Sequence, residues 1–217
     1  MKKNEKDENL ELDLEFATTE DVSETAWQNE YVDKAKRGDV AAFEHLIKSQ
    51  ERIVYNIAYR MINNKDDAYD LSQEIFIKIF RNLRHFNGQS SFSTWVYRIA
   101  VNACIDEIRK RKNKGIVSID QELEGDDGHY KKEFVSNSAT PEEAMIKKEE
   151  QLEITRAINA LSEEHRAVII LREIHGMSYE EIAGIVGMSL GTVKSRISRA
   201  RSQFKQEILK IWERNKK

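Results

Sequence analysis

Between Phe92 and Lys112 the chain reads FSTWVYRIAVNACIDEIRKRK, and its polar residues are of the kinds that handle nucleic acid. Arg98, Asn102, Ile105 and Arg109 recur at i, i+4, i+7 and i+11, with Trp95 at the edge of that stripe. Cations hold phosphates, an amide hydrogen-bonds a base edge, and an aromatic ring stacks on a base. The run closes on Arg109-Lys110-Arg111-Lys112, which suits the negative end of a helix dipole and also a nucleic-acid backbone. For this helix taken alone, a solvated basic face is the better account, and it is the neighbouring blocks that change that. A second set, Lys194, Ser195, Arg196, Ser198 and Arg199, lies near the start of GTVKSRISRARSQFKQEILKIW.

Nothing comparable points to catalysis. His45, His85, His129, His165 and His175 are scattered without metal-ligand spacing, and no phosphate-cradling glycine loop is present. The single Cys104 sits among apolar neighbours, as a buried structural thiol does, and it excludes an intrachain disulfide. The expectation is a protein that is not an enzyme and needs no metal or cofactor. No apolar run approaches the ~20 residues of a membrane span. The start is charged rather than signal-like, so a cytoplasmic protein without membrane insertion is expected.

These residues need helices to position them. Nine Gly and one Pro leave too few turn signals for an all-β fold, while 40% hydrophobic and 34% charged residues suit folded helical domains with polar segments. In YVDKAKRGDVAAFEHLIKSQERIVYNIAYRMI, apolar residues from Phe43 to Met61 fall at three- and four-residue steps. Gly38-Asp39 reads as a break followed by an N-cap, and Asn63-Asn64-Lys65-Asp66 as the next loop. In DAYDLSQEIFIKIFRNL, Leu71, Ile75, Phe76, Ile79 and Leu83 make an inward arc, and Asp70, Gln73, Glu74 and Ile77 a second stripe opposite. That stripe is either ordinary surface or a docking face with an apolar anchor ringed by polar groups.

The loop from His85 to Ser93 leads into the basic helix, with Ser93 or Thr94 able to cap it. Its Ser90 and Phe92, beside Trp95, could line a pocket for an unstacked base. Equally, Phe86 and Phe92 could pin the loop to the core, and for Phe86 that is the better reading.

Residues 113–144 lose periodicity and read as a flexible linker whose acids do not match a calcium loop. After it, Ile154, Ala157, Ile158 and Leu161 form an apolar face, and Ser162 restarts the chain as a cap. Ala167, Val168, Leu171 and Ile174 make the next stripe. Ser178-Tyr-Glu-Glu181 fits a capping box, followed by a face of Tyr179, Ile182, Ala183 and Val186. Gly187 supplies a tight turn, Ser189 a new cap, and Val193, Ile197, Ala200 and Phe204 an inward face. Cap, small residue, glycine, cap and cations in this order describe a helix-turn-helix whose second helix enters a major groove.

The fold expected is therefore all-α: two small helical domains, 30–112 and 145–217, joined by the linker and preceded by an acidic extension, 1–29. Charge is distributed unevenly. Residues 1–30 hold three Lys against ten Asp/Glu, whereas 190–217 hold nine Lys/Arg against two Glu. The extension is expected to be a disordered solubilising tail, the alternative being a shield for a basic DNA-binding surface.

Together the three blocks, in this order and around one linker, resemble the extracytoplasmic-function (ECF) subfamily of bacterial sigma-70 RNA polymerase sigma factors. The resemblance covers about residues 30–112 and 145–212. It implies that Asp70, Gln73, Glu74 and Ile77 dock on the polymerase clamp. Tyr97, Arg98 and Asn102 match the helix that recognises and melts the promoter −10 element, with Ser90 to Trp95 near its flipped-base loop. Lys194, Ser195, Arg196, Ser198 and Arg199 match the −35 reader. Core RNA polymerase, through clamp and flap, and promoter DNA are the implied partners. Many relatives, though not all, are held inactive by a membrane-bound anti-sigma protein, so the resemblance allows for such a partner, although no residue identifies it. The rival reading is a stand-alone helix-turn-helix transcriptional regulator, which leaves the 66–112 block unexplained.

Overall fold

The structure is a computed structural model that describes residues 30–114 and 141–215, with side chains from residue 145 onward in the second stretch. The acidic extension 1–29 and most of the 113–144 linker lie outside the described residues. Among those described there is no strand.

Helix α1 covers 30–36, and Gly38, at φ +94°, reverses the chain in a conformation that disfavours a side chain. Asp39 then caps α2 (Val40–Ile62) by accepting the Ala42 N–H at 3.0 Å. The apolar steps in this helix become a buried line: Leu46, Val54, Ile57, Ala58 and Met61 are sealed from solvent. Asn63 ends it in the left-handed region at φ +58°, and Asn64 caps α3 (Lys65–Asn82) at once. The expected four-residue loop therefore shrinks to two, because two asparagines supply a C-terminal and an N-terminal cap back to back. A 3-10 turn (Leu83–His85) and a loop follow, and then α4 (Phe92–Asn113).

In the second half, α5 (Pro141–Asn159) leads to α6 (Glu163–Ile169), which widens into a π-type turn at Ile170–Ile174. Next come α7 (Tyr179–Val186) and α8 (Leu190–Asn215). Helices α2, α3 and α4 pack on one another, and α5, α6 and α7 each lie against α8. The two halves also meet: α4 packs against both α6 and α7, and one continuous cluster of buried side chains runs from Val32 to Ala200. Sequence periodicity shows each apolar stripe but not which stripe it meets, so this joint core was not legible. One stripe is also narrower than expected, since Ile154 is 46% exposed and only Ala157, Ile158 and Leu161 are buried.

Candidate functional site

Helix α4 is started by Ser91, whose Oγ accepts the Thr94 N–H at 3.0 Å and lies 2.8 Å from the Thr94 hydroxyl. Neither Ser93 nor Thr94 is the cap, because the helix begins two residues earlier than a Ser93 cap would set it and three earlier than a Thr94 cap would. Ser93 instead faces the buried Gln50 amide, which donates to Ser49 at 3.0 Å and reaches the Ser93 hydroxyl at 3.5 Å.

The rings of this region belong to the core more than to the surface. Phe86, Phe92 and Trp95 pack as a triangle with centroids 5.3 to 5.9 Å apart, and Lys36 sits 5.4 Å over Phe86. Phe86 is thus the loop pin expected of it. Phe92, 3% exposed, and Trp95, 7% exposed, are walls and not open stacking platforms. Their burial corrects the expectation that both rings present a face to a base: only the part of Trp95 lining a neighbouring cleft is accessible. That cleft, about 320 Å³, runs between α3 and α4 and is bordered by Lys78, Asn82, His85, Asn102 and Asp106. Ser90 is half-buried beside it in sequence, and its hydroxyl donates to the Ser91 carbonyl.

Along α4 the expected stripe divides into two. Arg98 and Asn102 are exposed, with Ile105 half-buried between the stripe and the core. Tyr97 is half-buried and meets the His175 ring of the second half edge-on at 5.6 Å. Burial, assisted by Glu181, raises the Tyr97 phenol, and burial, assisted by Arg60, lowers His175. Arg109 is tied to the start of α6, pairing with Glu163 at 3.2 Å and more closely with Glu164. Lys112 reaches Glu163 at 2.7 Å. The Lys112 ammonium above all, with the helix's own N–H and Arg109 assisting against burial, holds the Glu163 carboxyl down to about 2. Arg111 turns the other way, to Asp67 and Glu107 at 2.5 and 2.8 Å, so it fastens α4 to α3.

On the outer face of α3, Asp70, Gln73, Glu74 and Ile77 are all exposed, and Ile77 keeps half its surface in water. Phe80 and Tyr69, both at least half exposed, extend this apolar element, and Phe43 of α2 meets Phe80 edge-on at 4.9 Å. Phe80 lies three residues beyond Ile77, a helical neighbour that the four-residue stripe stops short of.

The helix-turn-helix is built as its spacing suggests. Ser178 accepts the Glu181 N–H at 3.1 Å while the Glu181 carboxylate accepts the Ser178 N–H at 2.7 Å. Both halves of the capping box are therefore made. Ile182 and Ile185 are its buried pair, whereas Tyr179, Ala183 and Val186 are only partly covered, so the inward face is rotated by about one residue from the expected one. Gly187 turns the chain at φ +67°, and Ser189 accepts the Thr192 N–H to begin α8. Val193, Ile197 and Ala200 anchor α8, with Phe204 partly covered. Lys194, Ser195, Ser198 and Arg199 remain exposed and Arg196 half-buried. No ion pair with another described residue engages Lys194, Arg196 or Arg199, although Arg201, one turn on, is held by Glu173 at 2.7 Å.

Comparison with known proteins assigns these surfaces a family. Residues 46–114 match Sigma-70 region 2, and residues 151–204 match Sigma-70 region 4. The ECF RNA polymerase sigma factor SigW of Bacillus subtilis is 35% identical over 178 residues, spanning 82% of this chain and 94% of its own. The chain belongs to the ECF sigma factors. Another relative, the RNA polymerase sigma-H factor of Pseudomonas aeruginosa, is 37% identical over 78% of this chain and 88% of its own. Among solved structures, the sigma factor RpoE of Bartonella quintana, crystallised with the anti-sigma factor NepR, superposes with a TM-score of 0.55 at 27% identity. That match covers 78% of this chain and 97% of that one. CnrH, solved with the cytosolic domain of CnrY, shares the fold at a TM-score of 0.57 and 23% identity, over 83% of this chain and 96% of its own.

As an RNA polymerase sigma factor the chain binds core polymerase and promoter DNA, and the reading of it as a stand-alone regulator gives way. No described helix of this ECF factor is long and apolar enough to cross a membrane. Two features escaped sequence reasoning: the α6 acids facing α4, and Arg166. The acids satisfy a local rule by standing in a helix's first turn, and that masked their long-range partners.

Proposed function

We propose that the two helical halves divide promoter recognition, with the exposed cations of α8 reading duplex −35 DNA and the outer face of α4 opening and holding the −10 element. Lys194, Arg196 and Arg199 supply phosphate and base-edge contacts, with Ser195 and Ser198 as smaller donors. In the first half, Arg98, Asn102 and Arg109 hold the separated strand. The cleft lined by Trp95 and Asn102 receives an unstacked base, with Ser90 on the loop before α4 and Tyr97 on the helix itself completing the −10 set. Unstacking costs a few kcal/mol per step, which pocketing and phosphate contacts offset without nucleotide hydrolysis by this chain. The α3 face of Asp70, Gln73, Glu74 and Ile77 carries the pair of readers to the polymerase clamp, and the second half meets the flap. Residues 30–112 and 145–217 act as the two working units, in the cytoplasm and without a catalytic centre. An anti-sigma partner, as named in the RpoE structure, belongs to the same proposal.

The observation that carries this reading is the set Lys194, Arg196 and Arg199 on the second helix of a helix-turn-helix, in ion pairs with no other described residue, in one chain with an exposed Arg98/Asn102 face. Replacing Arg196 and Arg199 together with Ala tests it. Promoter-directed transcription by reconstituted holoenzyme should fall while binding to core polymerase stays unchanged, and loss of polymerase binding instead would refute the division of labour.

A further inference from the structure

A patch of apolar surface stays uncovered where the start of α2 meets the end of α3. Val40, Ile77 and Phe80 each keep at least half their surface in water, and Phe43 meets Phe80 edge-on at 4.9 Å, so two helices build it. Single exposed apolar side chains are ordinary, but a contiguous group rimmed by polar ones marks an interaction surface. Its charge is lopsided. Beyond Phe80 come Arg81 on α3 and Arg84 in the 3-10 turn, both exposed and in ion pairs with no other described residue. Toward the other end stand Asp70 and Glu74, with Glu44 next to Phe43 on α2. An occupant of the Phe80 end should therefore bring apolar side chains and negative charge together.

The chain carries such a segment. Leu10, Leu12, Leu14 and Phe16 alternate with Glu11, Asp13 and Glu15 in the acidic extension. A solubilising tail has a use for the acids but none for an apolar residue at every second position. The segment lies outside the described residues, yet its tether is fixed, because the chain runs on through α1 and the Gly38-Asp39 turn directly to Val40. The stretch from Phe16 to Glu30 reaches up to about 45–50 Å, whereas α1 and its turn keep Glu30 within about 25 Å of Val40. A tether of that kind supplies an effective concentration on the order of millimolar, so a contact too weak to join separate molecules suffices. A second copy would present the same segment only at its bulk concentration.

We propose that residues 10–16 dock on the Val40, Phe43 and Phe80 patch of their own chain, seating Leu12, Leu14 and Phe16 on it and setting Glu11, Asp13 and Glu15 toward Arg81 and Arg84. Ile77 borders this site on α3, one turn before Phe80 and Arg81, so the docked segment and core polymerase share it. The extension is thus a built-in competitor for the α3 face. The competition rests on the reading of α3 as the polymerase-docking helix, and the docking itself does not.

Disulfide trapping in the full-length chain tests the docking. Thr18→Cys and Glu44→Cys put one thiol beside each partner, and mild oxidation should join them within one molecule. Cys104 does not interfere, being fully buried with its thiol pushed up to about 12. The same pair carrying Leu12→Ser, Leu14→Ser and Phe16→Ser should close at least about tenfold more slowly, since the tether alone then brings the thiols together. Phe80→Ser, at a half-exposed position, should slow closure similarly with helix content unchanged. Equal rates in all three chains, or a bond formed only between two molecules, overturn the docking. Labelled factor titrated with core polymerase tests the competition: the three serine substitutions, without added cysteines, should strengthen binding by about two- to fivefold. Unaltered or weaker binding overturns the competition. Trapping involves no polymerase, so it stands or falls apart from the reading of α3: were that face not to bind polymerase, Ile77→Asp would leave the affinity unchanged while the difference in trapping persists.

Discussion

Ile77 offers a sharp test of how this sigma factor reaches its polymerase. The side chain is 50% exposed, on a face shared with Asp70, Gln73 and Glu74, and it touches nothing that would hold its outer half dry. Complete burial of an isoleucine stabilises by about 1.5–3 kcal/mol, so docking that covers the exposed half gains about 1 kcal/mol. Ile77→Ala should then weaken core polymerase binding by about fivefold. Ile77→Asp should do far more, because the new carboxylate is desolvated one turn beyond Glu74, a like charge, at a further cost of about 1–3 kcal/mol, for a total loss on the order of a hundredfold. The fold itself should tolerate both changes, with thermal midpoints within a few degrees of wild type, since a half-exposed helical position contributes little to the core. Titrating labelled factor with core polymerase and following anisotropy gives the dissociation constants directly. An Ile77→Asp protein that is folded and binds within about twofold of wild type would refute the docking face and the area argument behind it.

Two further outcomes follow from buried charge. Arg166 is 9% exposed and its guanidinium is pushed down to about 10 by burial, a desolvation cost of about 3 kcal/mol. Its two stronger carbonyl bonds return about 1.5–3 kcal/mol each, so Arg166→Met should destabilise by only about 0–3 kcal/mol in denaturant unfolding; a loss above about 5 kcal/mol would mean that the Met61 and Asn159 carbonyls find no other donor. Acid should act through His175, which is held below its ordinary 6.5 by burial and by Arg60, with the Tyr97 ring meeting it edge-on. A base whose folded pKa is depressed stabilises fully above about 6.5 and loses that contribution as pH falls through its folded value, so the thermal midpoint should drop below pH 6.5 and His175→Asn should flatten that drop. The Glu163 carboxyl, at about 2, withdraws its contribution only between its ordinary 4.5 and that value, which separates the two effects on one pH scale.

The sequence made local structure legible wherever one residue type performs one backbone task. Asp39, Ser178 with Glu181, Gly187 and Ser189 each cap or turn where their chemistry requires it. The exposed cations of α8 were equally readable, because inward Val193, Ile197 and Ala200 leave only one side for Lys194 and Arg199. Aromatic residues misled: Trp95 stands at the edge of a polar stripe by angle, yet Phe86 from a loop covers it, and no helical period encodes what a loop brings. Ser91 was passed over for Ser93 and Thr94 because three hydroxyl residues in four positions offer equivalent caps. The contact of the two halves lay beyond periodicity altogether. Arg109 and Glu163 are 54 residues apart, and each obeys a rule of its own helix end.

The widened turn at Ile170–Ile174 makes chain length, and not only residue identity, part of this architecture. It holds one residue more than a regular turn would, and the surplus lets Arg172 fold back to the Met177 carbonyl and lie 4.8 Å over the Tyr179 ring at the entry of α7. Removing a single residue from that stretch would restore a regular helix but rotate everything after it by about 100°. Ile182 and Ile185 would swing off the core, and the exposed cationic side of α8 would turn with them. Trimming by one is therefore a harsher lesion here than most substitutions, and the direction in which α8 presents its cations is set by a count made some twenty residues before it.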